Sequence, residues 1–128
     1  MENKKKTYKD LIVWQKSDML YHLVADDVEK FPKSLVAWRI SIQLLDSAGS
    51  ISTNIAEGYG RGGNKEFKQY FRQARGSLIE TDNWLYKACK RNLITEARYF
   101  QIYTPLIEEI GKLITSWMAT LSLQTAKR

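Results

Sequence analysis

Five cations recur along one stretch of the chain. Arg61, Lys65, Lys68, Arg72 and Arg75 step by 4, 3, 4 and 3 residues, and Glu66 is the one acid among them. That spacing is helical, so the row shares one face. Lys68, Arg72 and Arg75 each follow an apolar position (Phe67, Phe71, Ala74) by one residue, about 100° round a helix. The row therefore flanks a core and points outward. Such a row can track a phosphate backbone, and arginine can hold a phosphate through two parallel hydrogen bonds. Just before it lie Gly58, Gly60, Gly62 and Gly63, four of the chain's seven glycines. A helix start at Asn64 would add backbone N–H donors of the kind that hold phosphate. Tyr59 and Tyr70 offer rings on which bases can stack. The alternative reading is a solvated helix face whose charges serve only solubility.

Other chemistry finds less support. Gly58-Tyr59-Gly60-Arg61-Gly62-Gly63 is not GxGxxG, it follows a helical pattern rather than a strand, and no GxxxxGK[ST] occurs, so no nucleotide site is expected. Asn54 and Glu57 sit one turn apart, and Gln43 lies three turns earlier. They are read as a structural polar network joining the second helix to its neighbours rather than as an acid–base pair. His22 is the only histidine and has Asp18 four residues before it; a metal would need more ligands than these. Cys89 is the only cysteine, which excludes an internal disulfide and a CxxC motif and fits a reducing cytoplasm. It lies near an apolar stripe. The Glu-x-x-His pattern of di-iron bundles is missing. The expectation is a non-enzyme with no metal and no cofactor.

These residues are carried by four helical patterns. The first runs over about 8–30, capped by Thr7 with Asp10 in its first turn, with Leu11, Trp14, Leu20, Tyr21, Val24 and Val28 on its apolar stripe and Asp18, Asp26, Asp27 and Glu29 mainly off it. Phe31-Pro32 follows it. The second, about 34–58, starts at a Ser34 cap and carries two stripes: Leu35, Trp38, Ile42, Leu45, Ser52, Ile55, Tyr59, and beside it Ile40, Leu44, Ser47, Ile51. A helix this apolar is covered on most sides, at the centre of a bundle or also in a subunit interface. Gly58 is its expected stop. The third, about 64–91, is capped by Asn64 and has a strict heptad in Phe67, Phe71, Ala74, Leu78, Thr81, Leu85 and Ala88. Lys87, Lys90 and Arg91 complement the dipole of its last turn, and Asn92 supplies a left-handed stop. The fourth, about 95–123, starts at Thr95, with Tyr99, Tyr103, Leu106, Ile110, Leu113 and Trp117 on its face. Pro105 should kink it or make it begin anew after Thr104. The four tryptophans are at core spacing.

With 128 residues, a single domain and a real core are expected. The fold class is all-α: an antiparallel up-down-up-down four-helix bundle. Lys and Arg number 20 against 14 Asp and Glu, for a net charge of +6 and a pI near 9.4. That balance favours a polyanionic partner, RNA or DNA. Lys4-Lys5-Lys6 belongs to a basic arm read as a solvated tail, as is the chain from Gln124 onward. No run of about 18 apolar residues occurs, so no membrane partner is expected.

Several pieces of this sequence resemble a known family. They are Asp10-Leu11-Ile12-Val13-Trp14-Gln15-Lys16, then Phe31-Pro32, then Gln43 with Ser50 through Gly58 (Ser-Ile-Ser-Thr-Asn-Ile-Ala-Glu-Gly), then Glu66-Phe67 and Ala74-Arg75-Gly76-Ser77-Leu78-Ile79-Glu80. Over residues 7 to 122 the chain resembles the four-helix-bundle proteins encoded in intervening sequences of 23S rRNA genes, the S23 proteins. The resemblance implies a bundle that assembles as a ring-like homopentamer. It also implies kinship with the accessory protein of diversity-generating retroelements, a basic pentamer that works with a reverse transcriptase. The expected function is thus nucleic-acid binding by an oligomer through Arg61, Lys65, Lys68, Arg72 and Arg75. The alternative is a scaffold for a protein partner such as a polymerase, with no contact to nucleic acid.

Overall fold

The computed structural model describes residues 5–126. Lys4 of the basic arm and the last two residues of the polar tail lie outside the described residues. Among the described residues there are four long helical rods and no strand: α1 (Ile12–Val28), α2 (Leu35–Arg61), α3 (Asn64–Lys90) and α4 (residues 96–126). The links are residues 29–34, 62–63 and 91–95. Links this short force each helix to run back along the one before it. α1 packs on α2, α2 on α3, α3 on α4, and α4 closes on α1. The result is the expected up-down-up-down four-helix bundle.

Local chemistry sets each end. The Thr7 and Asp10 capping box forms, with Thr7 N–H donating to Asp10 Oδ2 at 2.7 Å. It closes only a 3-10 turn, Tyr8–Asp10, after which Leu11 is extended and α1 begins at Ile12. Ser34 caps α2 by accepting from Ala37 N–H at 3.1 Å. Asn92 ends α3 in the left-handed region at φ 62°. There Leu93 N–H bonds the Ala88 carbonyl and Asn92 N–H the Cys89 carbonyl, the two bonds of a Schellman stop. Thr95 caps α4 by accepting from Arg98 N–H at 3.0 Å.

Two expectations about α2 and α3 fail at their junction. α2 does not stop at Gly58. It runs three residues further, to Arg61, and Gly62 takes the left-handed turn at φ 81°. Gly58 is instead a point of close approach. A Cβ there would fall 2.6 Å from Tyr70 Cβ and 2.9 Å from Phe67 Cδ1. The cap of α3 is Gly63, and Asn64 is the first helical residue.

The core is one continuous cluster. α3 contributes its whole heptad, buried as expected. α2 contributes the stripe Ile40, Leu44, Ser47 and Ile51, together with Ala37, Ala48 and Ile55. The other expected stripe of α2 divides: Ser52 and Ile55 are buried and Leu45 packs against the core, whereas Leu35 is 75% exposed, Trp38 59%, Ile42 36% and Tyr59 36%. Three of the four tryptophans, Trp14, Trp84 and Trp117, are half-buried against the core, and Trp38 is exposed. Phe67, Phe71 and Trp117 form an aromatic block joining α3 to α4, with ring centroids 4.6 to 5.7 Å apart.

Pro105 neither ends α4 nor starts it anew. In a regular α-helix its ring would meet the carbonyl of Gln101. Here the turn over Tyr99–Tyr103 is widened into a π segment. Thr104 N–H bonds the Tyr99 carbonyl, and the Thr104 hydroxyl donates to the same oxygen at 2.9 Å. The backbone stays helical from Glu96 through this turn into Thr104–Ala126.

Gly58→Ala is expected to destabilise the bundle by about 1–3 kcal/mol, the usual cost of forcing extra bulk into a packed interface. Gly60, in the same helix with nothing within 4 Å of a built Cβ, should gain about 0.5–1 kcal/mol on the same change. Urea denaturation of the two variants beside the parent checks both signs.

A candidate nucleic-acid interface on the third helix

The α3 period places Lys65, Lys68, Arg72 and Arg75 within an arc of about 80°. Lys65, Arg72 and Arg75 are exposed and Lys68 is half-buried. Their backbone rests on Phe67, Phe71 and Ala74, all buried. Among the described residues none of these four cations enters an ion pair; Arg72 Nη1 donates to Gln69 Oε1 at 3.2 Å. The row stays available to an outside anion.

Arg61 is different. It sits at the end of α2, 3.9 Å from the Glu57 carboxylate and 5.7 Å above the Tyr70 ring. Its charge is partly answered within the chain. The Glu57 carboxylate beside Tyr70 is also the first cause holding that phenol above its ordinary pKa. Tyr59 meets Phe67 edge-on at 6.1 Å. Of the two tyrosines named as stacking surfaces, Tyr70 thus has a cation over its ring already.

The start of α3 is occupied by the chain itself. A Cβ on Gly63 would fall 1.9 Å from Glu66 Oε2, so the Glu66 carboxylate lies against the helix N-terminus, where an anion is stabilised. A phosphate on those backbone donors would have to displace it.

The polar ties between α2 and α3 differ from the trio Gln43, Asn54 and Glu57. Asn54 donates to the Ser50 carbonyl at 2.8 Å and to Ser50 Oγ at 3.0 Å, and Ser50 Oγ receives Ser77 Oγ from α3 at 2.9 Å. Deeper in, Thr81 Oγ1 bonds Ser47 Oγ at 3.0 Å. Glu57 is exposed, with Arg61 and the Tyr70 phenol of α3 beside its carboxylate, and no side-chain hydrogen bond of Gln43 is found among the described residues. The hydroxyls carry the network. Ser47 and Thr81 already stood on the apolar stripes of their helices, and small hydroxyls at core positions were the available signal.

A second polar cluster had no local signal. Asp27 was placed off the α1 stripe, yet it is 7% exposed. It accepts from Arg98 Nε at 2.6 Å and from the Tyr103 hydroxyl at 2.5 Å, tying α1 to α4. The Arg98 guanidinium also lies 5.6 Å from the Tyr103 ring centroid. Desolvation first, then the bond to Asp27, raises the Tyr103 pKa. Nearby, the Tyr99 hydroxyl donates to Asp82 Oδ1 at 2.8 Å. His22 lies 3.5 Å from Asp18, as its spacing predicts, and Cys89 is buried. Among the described residues no three His, Cys, Asp or Glu side chains converge as a metal site would need, and no helix is long and apolar enough to cross a membrane.

A hydroxyl-stitched four-helix bundle with a basic face on α3 defines the class of protein. The chain belongs to the 23S rRNA-intervening sequence protein family, whose model matches residues 9–116. Among solved structures it is similar to a protein of unknown function from the S23 ribosomal protein family of Bacteroides thetaiotaomicron, at 25% identity and a TM-score of 0.74. The likeness covers 84% of this chain and 98% of that one. No curated protein matches it.

Burial, and then its bond to Asp82, pushes the Tyr99 phenol from its ordinary value near 10 up to about 12. A folded-state pKa raised in this way contributes stability that is whole below pH 10 and is lost as pH rises toward 12. The urea midpoint should therefore fall between those values, and Tyr99→Phe should make the fall shallower. Denaturation curves collected at intervals from pH 9 to 12 read this directly.

Proposed function

We propose that this protein is a non-enzymatic, oligomeric nucleic-acid-binding bundle that holds RNA or DNA along the outer face of α3. Lys65, Lys68, Arg72 and Arg75 make the backbone contacts, and Arg61 stands at the rim. The observation that carries this reading is the unanswered charge of those four cations on a rigid aromatic base. Contacts of this kind are electrostatic and indifferent to sequence.

The outward stripe on α2 supports self-association. Trp38 and Ile42 lie on the side of α2 that faces away from the core, and Trp38 is more than half exposed. An apolar face of this sort, rimmed by polar residues, is the usual mark of a protein interface. The resemblance makes a ring-like homopentamer the expected assembly. Repeating a weak α3 face round such a ring would raise affinity through multivalency.

A labelled 20-nucleotide RNA titrated at two salt concentrations tests the binding. Four phosphate contacts on a single strand give an expected log–log salt slope of about −3 per binding face. The Arg72→Glu, Arg75→Glu double variant should lose at least about tenfold in affinity and flatten the slope by more than about one unit. Absence of binding below about 100 μM at low salt overturns the proposal. Light-scattering mass checks the assembly separately. The parent should give a multiple of the chain mass, and Trp38→Asp should lower it.

A further inference from the structure

The end of the bundle away from the α2–α3 turn carries a second basic region of different construction. The N-terminal turns of α2 and the last turns of α3 leave a groove between them, floored by Leu35, Val36, Ile40, Trp84 and Tyr86. Its rim is Arg39, Lys87, Lys90 and Arg91, with no acid among the lining residues. Leu35 is 75% exposed and Tyr86 46%. Among the described residues none of the four rim cations enters an ion pair. Along α3, Trp84 at the groove lies nine residues beyond Arg75, the last cation of the row, or about 14 Å at the helical rise.

We propose that this groove docks an acidic amphipathic helix of a partner protein, its apolar face on Leu35, Val36 and Ile40 and its carboxylates on Arg39, Lys87, Lys90 and Arg91. Two features select that occupant. The first is charge complementarity: an apolar floor inside an all-cationic rim fits an apolar face flanked by Asp or Glu. The second concerns the rings. Lys87 Nζ lies 6.0 Å from the Trp84 centroid and Lys90 Nζ 5.9 Å from that of Tyr86. Each ring already has a cation of its own nearby, which makes the pair a poor platform for a nucleic-acid base and leaves the aliphatic floor as the apolar contact. The groove spans about two helical turns on each wall, enough for anchors at i, i+3, i+4 and i+7.

The test uses the full chain and a synthetic 18-residue helix with leucines at those four positions and glutamates flanking them. A control peptide keeps the composition but scrambles the stripe. Binding is read by fluorescence anisotropy and by NMR shifts of the Trp84 indole N–H. The expected result is micromolar binding of the stripe peptide and shifts at Trp84. The scrambled control should bind at least about tenfold more weakly, as should the stripe peptide to a Lys87→Glu, Lys90→Glu variant of native circular dichroism. The same variant should keep its RNA affinity within about threefold, which separates this site from the α3 face. Four outcomes overturn the proposal: no binding of the stripe peptide, equal binding of the scrambled peptide, RNA in place of peptide shifting Trp84, or a fall in assembly mass in the double variant showing that another copy covers the groove.

Discussion

α2 and α3 lie together only because bulk is missing where they touch. At Gly58 there is no room for a methyl group beside Tyr70 and Phe67. Further along, Ser50 meets Ser77 and Ser47 meets Thr81 through single hydroxyl–hydroxyl bonds of 2.9 and 3.0 Å. Ser47 and Thr81 are buried, and a buried hydroxyl without a partner costs about 1–3 kcal/mol, so the inner bond opposes sliding of one helix along the other, while the half-buried Ser50–Ser77 bond adds less. Thr81 meets its own helix as well, donating within reach of the Ser77 carbonyl at 2.8 Å. Among the described residues no buried side-chain nitrogen or oxygen is left without a partner. Apolar packing brings the pair together, and the hydroxyls choose the register.

That register determines what the surface carries. With Phe67, Phe71 and Leu78 turned inward, the residue after each buried position must point sideways, and it is there that Lys68, Arg72 and Ile79 stand. The same alignment brings the start of α2 beside the end of α3, so Arg39 meets Lys87, Lys90 and Arg91 round one groove. Two basic regions therefore come from one helix pair. They differ in what lies beneath the charges: an aromatic block at one end, an open aliphatic floor at the other.

Much of the architecture is legible in the residue pattern, and the exceptions share a cause. The α3 heptad reads correctly because its outer face is polar and leaves one apolar stripe. α2 offers two stripes, and nothing local tells which one meets α3. Leu35 and Trp38 were as good a choice as Ile40 and Leu44 until the neighbours were in place. Gly58 looks like a stop because glycine favours a left-handed turn, but its use here is to let Tyr70 come near. Asp27 is a charged residue whose partners lie 71 and 76 positions away, at Arg98 and Tyr103. Each miss is a tertiary contact that outweighed a sound local rule. The five cations were legible as a row, but that Glu57 draws Arg61 away from it depends on the last turn of α2 continuing past Gly58.

The two-residue link at Gly62 and Gly63 has a bearing on how the chain finds its shape. Loop-closure entropy rises with the logarithm of loop length, so this hairpin is the least demanding long contact for an unfolded chain to make. Contacts near in sequence go with fast folding. Once formed, the hairpin presents a template of Phe67, Phe71, Ile51 and Leu78 to which the outer two helices can add. Asp27 lies on the first of these outer helices and Arg98 on the fourth, so their ion pair ties the two to each other directly, on the side away from the hairpin link.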